Sequence, residues 1–201
     1  MELSDREARR AGEVIEAGVT SFTAQSYRLN EAPPLGALVR ADGPLAQVYG
    51  LVQDVCTASI DPARRTLALG SAERSVDDVF GANPQIAKLL RTSFDVLVVG
   101  HRDGDALRHF LPPLPPRMHG FVYECGEDEV LEFTQSLDFL PNLLANRGPA
   151  PVDEVAAAFV RRAARCHGDP HAFLVAAGKV MAANLGQDSA RLTALLRRMQ
   201  P

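Results

Sequence analysis

The sequence predicts an α+β fold: a small closed antiparallel β-barrel with short inserted helices, followed by a C-terminal helical subdomain. Three observations carry this expectation. Short runs rich in Val, Leu, Thr and aromatic residues recur through the first two thirds of the chain, each bounded by Gly, Pro or Asp turns, which is the spacing of a barrel or sandwich. Residues 94–123 (FDVLVVGHRDGDALRHFLPPLPPRMHGFVY) combine an apolar strand, a turn at Asp103-Gly104, a return strand over 106–111, a proline-stiffened crossing and a further strand over 118–123. From Leu137 onward the apolar residues change to helical spacing.

Residues 1–11 form a charged leader with no apolar face to dock, and the barrel is expected over 12–136. Its first strands lie at 13–15 and 19–27, where Gly12 and Gly18 mark a bulge or a close backbone approach. Pro33 and Pro34 make a loop, because neither can donate to a ladder. A short strand at 36–40 and a long one at 45–57, interrupted at Gly50, come next. Asp61-Pro62 then breaks the sheet. Ser75 with Asp78 three residues on caps one short helix and Asn83-Pro84 starts a second, giving a helical insertion at about 75–91. Residues 130–134 are expected as a last short strand or edge.

The helical subdomain spans 137–201. Leu137, Leu140, Leu143 and Leu144 share a face around Pro141, residues 146–151 are a Gly/Pro linker, and helices are expected at 152–165, at 170–185 and from Asp188 or Ser189 onward. In the first of these three, Val152, Val155, Ala156, Phe159, Val160 and Ala163 form one face. It must bury against the barrel or against another chain.

Composition limits the function classes. With 201 residues, 46% of them hydrophobic, the chain can bury a real core, yet it holds no apolar run long enough to span a bilayer. The N-terminus mixes both charges without an apolar segment behind Arg9 and Arg10, so no secretory signal and a cytoplasmic location are expected. Three widely spaced cysteines (Cys56, Cys125, Cys166) do not make a disulfide framework and are expected as buried thiols. The net charge of −4 divides unevenly: from Pro151 onward seven basic residues face four acidic ones, a local +3, which leaves −7 on the rest. An acidic barrel repels nucleic-acid phosphates, so any nucleic-acid contact belongs to the basic tail, with Arg161, Arg162, Arg197 and Arg198 as the candidate interaction residues.

No motif carries chemistry. Gly178-Lys179 has Phe173 where a phosphate loop needs its first glycine and Val180 where it needs Ser or Thr. Cys166, His167, Asp169 and His171 crowd potential metal ligands into one span, but helix capping already accounts for Gly168, Asp169 and Pro170, and no second ligand pair exists. His101, His109 and His119 are expected as polar edge residues, with His109 facing away from His101. Leu111-Pro112-Pro113-Leu114-Pro115-Pro116-Arg117 has the form of an SH3 ligand but lies between two strands of one core, where a stiff crossing explains it. There is no Gly-x-Ser-x-Gly elbow. The expectation is a protein that is not an enzyme, has no cofactor and holds no metal.

The order of these features resembles the HAS-barrel, the small β-barrel at the N-terminus of HerA-type DNA-translocating ATPases and of ATP synthase head subunits. The residues that carry the likeness are Gly12-Glu13-Val14-Ile15-Glu16, Thr20-Ser21-Phe22-Thr23, Leu35-Gly36-Ala37-Leu38-Val39, the strand at 47–55 and, above all, Val99-Gly100-His101-Arg102-Asp103-Gly104 leading to the proline crossing and Val122-Tyr123. The whole length is similar to standalone bacterial forms, such as those of cyanobacteria, that lack the ATPase. This resemblance implies a non-enzymatic assembly module that associates with a separate HerA-like ATPase or DNA-processing complex, or with itself as a homo-oligomer. The alternative is a nucleic-acid-binding accessory protein that uses the basic C-terminal helices. No membrane partner is expected.

Overall fold

The structure, a computed structural model, describes residues 10–61, 63, 66–146 and 151–200. Residues 1–9 of the expected 1–11 leader and 147–150 of the expected linker lie outside them, whereas Arg10 and Ala11 belong to the first strand and not to a leader. Seven strands form one antiparallel sheet: β1 (Arg10–Ala17), β2 (Ser21–Ser26), β3 (Leu38–Asp42), β4 (Gln47–Ser59), β5 (Leu90–Asp103), β6 (Ala106–Arg108) and β7 (Phe121–Glu124). The order β2-β1-β7-β3-β4-β5 closes through a β2–β5 pairing into a six-stranded barrel, and β6 is an additional strand on β5.

Alternation explains both the closure and the long apolar runs. Val39 and Ala41 on β3, Val48 and Val52 on β4, and Phe94, Val96 and Val98 on β5 fill the barrel with Val14, Phe22, Ala24 and Val122. The intervening Leu38, Tyr49, Leu51, Leu97 and Val99 point outward into a second core. Strands covered on both faces need apolar residues at every position, and this is why Val96-Leu97-Val98-Val99 does not alternate with polar residues. Gly50 sits at an irregularity in the β4–β5 register, where an added Cβ would lie 2.4 Å from Val96 Cγ1. The interruption expected there is a bulge that lets β5 approach.

The second core is the helical layer. It consists of α2 (Glu127–Phe133), α3 (Phe139–Ala145), α4 (Val152–Ala164), α5 (Pro170–Leu185) and α6 (Ser189–Met199), while the insertion between β4 and β5 holds α1 (Val76–Ala82) and a 3-10 turn (Pro84–Lys88). Asp169 and Asp188 accept from the backbone N–H groups of Ala172 and Arg191, so the predicted caps start α5 and α6. All six residues of the predicted α4 face are buried, and they pack against the barrel's outer surface rather than waiting for another chain.

Several expectations need correction. Residues 130–134 are not a strand: Glu127, Asp128 and Glu129 favour a helix N-terminus, and Glu129 accepts from the Gly126 N–H at 3.1 Å, so the segment belongs to α2. The return strand ends at Arg108, because His109 turns toward the helical layer. The last strand starts at Phe121, since His119 has φ +60 and Gly120 N–H closes a turn on the Arg117 carbonyl. Gly36, at φ +73, delays β3 to Leu38. The hairpin turn comprises Gly104 and Asp105, so His101 pairs with Arg108 rather than Ala106.

Candidate interaction surface

Three of the four candidate arginines are engaged within the chain. Arg162 Nη2 lies 3.0 Å from Glu124 Oε1, Arg198 Nε lies 2.7 Å from Glu154 Oε1, and Arg161 donates to the Arg198 backbone carbonyl. Arg197 is exposed. Arg161, Arg162 and Arg198 therefore fasten α4 to α6 and to β7. Arg191, which the sequence left aside, is likewise bound to Asp153 through Nε and Nη2 and donates to the Leu144 carbonyl.

Cys166, His167 and Asp169 at the end of α4 are also engaged within the chain, and His171 is exposed. Cys166 Sγ faces the Arg162 carbonyl, and burial raises the thiol above its ordinary pKa, which makes it a poor nucleophile. His167 Nε2 is 2.9 Å from Thr134 Oγ1, and its ring stacks on Phe173 at 4.1 Å. Among the described residues no three His, Cys, Asp or Glu side chains gather where a metal could sit. Nor is any helix among them long and apolar enough to cross a membrane.

Two of the three ribbon histidines are not polar edge residues. His101 is buried, its Nδ1 3.0 Å from the Phe110 carbonyl. His109 sits on the opposite side, as alternation requires, with its ring 4.7 Å from Phe133 and 5.6 Å from Phe139. Its Nε2 is buried without a hydrogen-bond partner among the described residues, and burial holds its pKa below the ordinary histidine value. Beside it, a cleft of about 580 Å³ opens between β5 and α3, lined by Val99, Phe110, Leu111, Phe139 and Asn142 among others. His119, the third, is exposed and pairs with Glu13 across β1.

The least protected part of the fold is the far half of the β4–β5 ribbon. β4 has 13 residues and its neighbour β3 only 5, and the two pair no further than Leu38 with Leu51. Val52 is still bonded to Gly36 and Ala37, and from Asp54 against Asp95 to Ser59 against Leu90 the strand paired with β4 among the described residues is β5. Residues 54–58 are exposed one after another, and among the described residues no strand pairs with their outer edge. Cys56, expected as a buried thiol, is among them and is exposed. The insertion at the ribbon's end buries none of its α1 or 3-10 residues, and it leaves Ile60, Leu67, Leu69, Val76 and Leu89 in solvent. Sequence reasoning missed this surface, although the mismatch between a long strand and a short neighbour was visible in it.

Comparison of the chain with protein-family models and with curated proteins finds no match.

Proposed function

We propose that this chain is a non-enzymatic assembly module of the HAS-barrel type, which docks on other proteins and works beside a separate HerA-like ATPase or DNA-processing complex. One observation carries the reading: a closed barrel stabilised from outside by its own helical layer extends a two-stranded ribbon with an open edge and exposed apolar residues. A strand edge whose outward backbone groups are unpaired is a liability that proteins ordinarily cover, and a partner is the usual cover. The order of strands, the proline crossing and the missing phosphate loop support the choice of partner class.

The nucleic-acid reading is the weaker one. Arg162 and Arg198 spend their charge on Glu124 and Glu154, so phosphate binding would have to break those pairs. The test is direct titration of the purified chain against a purified HerA-type ATPase that lacks its own barrel, read by calorimetry. Saturable binding supports the proposal. No heat and no co-migration would remove it.

A further inference from the structure

We infer that the open edge of β4 pairs antiparallel with the same edge of a second copy, about a two-fold axis at Cys56, so that two barrels share one continuous sheet. This deepens the assembly reading by naming one occupant of the edge, and it rests on that reading only for the importance of docking.

Hydrogen-bond parity shows which backbone groups are available. The Val55 N–H turns to the Asp54 carboxylate at 2.9 Å, whereas the Ile60 N–H donates to the Leu89 carbonyl across the ribbon. Along a strand the two directions alternate, so Cys56 and Ala58 face β5 while Val55, Thr57 and Ser59 present their N–H and C=O outward. Among the described residues no strand receives them. An axis at Cys56 sets Val55 opposite Thr57 of the second copy and Thr57 opposite its Val55. Each of these two pairs exchanges both backbone hydrogen bonds once the Val55 N–H leaves the Asp54 carboxylate for the Thr57 carbonyl of the second copy.

Charge selects this register. Asp54 stands directly against Asp95 on β5, an unfavourable like-charge pair relieved on one side by Thr23 Oγ1, which donates to Asp95 at 2.7 Å. Four residues on, Ala58 stands against Arg91, and Arg91 is in none of the chain's ion pairs among the described residues. With the axis at Cys56, each Asp54 falls opposite Ala58 of the other copy, so one row across four strands runs Asp95, Asp54, Ala58, Arg91. Alternate strands lie about 10 Å apart, a gap that an extended arginine spans over an alanine methyl group to reach a carboxylate. Both copies gain this contact. Moving the axis by one residue to Thr57 sets Asp54 opposite Ile60 and loses it.

The register has a chemical signature. Cys56 meets Cys56 of the second copy as a non-hydrogen-bonded pair with Cα atoms about 4.5 Å apart, within the range a disulfide bridges. The experiment uses the full chain carrying Cys125→Ser and Cys166→Ser, so that Cys56 is the sole thiol. It is followed by sedimentation equilibrium and by exposure to diamide, which takes up the two hydrogens as the disulfide forms. A reversible dimer that cross-links through Cys56 is expected. Thr57→Pro removes one outward N–H and none of the backbone hydrogen bonds to β5, and it should weaken the dimer about tenfold or more. Thr57→Val loses the hydroxyl contact to Thr92 but keeps the N–H, and should leave the dimer intact.

Asp54→Arg or Arg91→Asp alone should weaken association, and the two together should restore it. A monomer at every concentration, a dimer indifferent to Thr57→Pro, or cross-linking through a cysteine placed at position 57 but not at 56 would overturn the inference. Titration against the ATPase stays separate: a chain that is always monomeric yet binds the ATPase refutes the dimer alone, and a dimer without ATPase binding refutes the partner alone.

Discussion

Phe133→Ala tests whether the barrel and the helical layer are held as one cooperative body. Phe133 is fully buried, and its ring lies 5.6 Å from Tyr49 on β4, 4.7 Å from His109 beyond β6, 5.2 Å from Phe139 on α3 and 6.5 Å from Phe159 on α4. It therefore touches the barrel wall and two helices at once. Truncation to alanine in a packed core costs about 3–5 kcal/mol, from lost transfer free energy and the cavity left behind. For a chain of this length each kcal/mol moves the melting midpoint by about 2–4 °C, so the expected fall is on the order of 10 °C. Differential scanning calorimetry reads both the shift and the number of transitions. A single transition displaced by that amount, with van't Hoff and calorimetric enthalpies still equal, is expected. Two resolved transitions, with the barrel's unmoved, would refute the argument that Phe133 couples the layers.

Three other outcomes follow from particular contacts. Gly36→Ala places a Cβ 2.5 Å from the Phe159 N and 2.7 Å from the Ala158 Cβ at a left-handed φ, and chemical denaturation should show a loss of about 2 kcal/mol or more. Burial lowers the folded-state pKa of His109, so the unfolded chain takes up the proton first as pH falls. That contribution is whole above the unfolded histidine value of about 6.5 and is lost as pH drops toward the folded value, so melting at pH 5 should lie below that at pH 7.5, by less in His109→Phe. If the melting difference is the same in wild type and variant, the histidine is not the source. Electrophoretic mobility shift at low salt should show little DNA binding, with little change on Arg197→Glu with Arg198→Glu; strong, salt-dependent binding abolished by that pair would favour the nucleic-acid reading.

Much of the fold was legible because local chemistry and tertiary packing agree. The Asp169 and Asp188 caps, the α4 face and the Gly50 interruption each follow from one residue's backbone or side-chain preference. Failures occurred where packing decided. Residues 130–134 have strand-like composition, but the acidic turn before them and the burial of Val130 and Phe133 on one face make them helical. Cys56 has an apolar neighbour on its N-terminal side and was expected inside, yet it lies on a strand that outruns its neighbour, and exposure there depends on the length of β3 rather than on residues near Cys56. The basic tail shows the same limit: a count of charges does not reveal that Glu124 and Glu154 are within reach of Arg162 and Arg198. The open edge is a relation between strands, and no single stretch of sequence contains it.

The assembly reading is tested most directly by calorimetric titration of the full chain into a purified HerA-type ATPase without its own barrel, with ATP turnover followed in the same mixture. Saturable binding, with turnover confined to the ATPase, is the predicted result. Absence of binding at micromolar concentrations, or ATP hydrolysis by this chain alone, would contradict it.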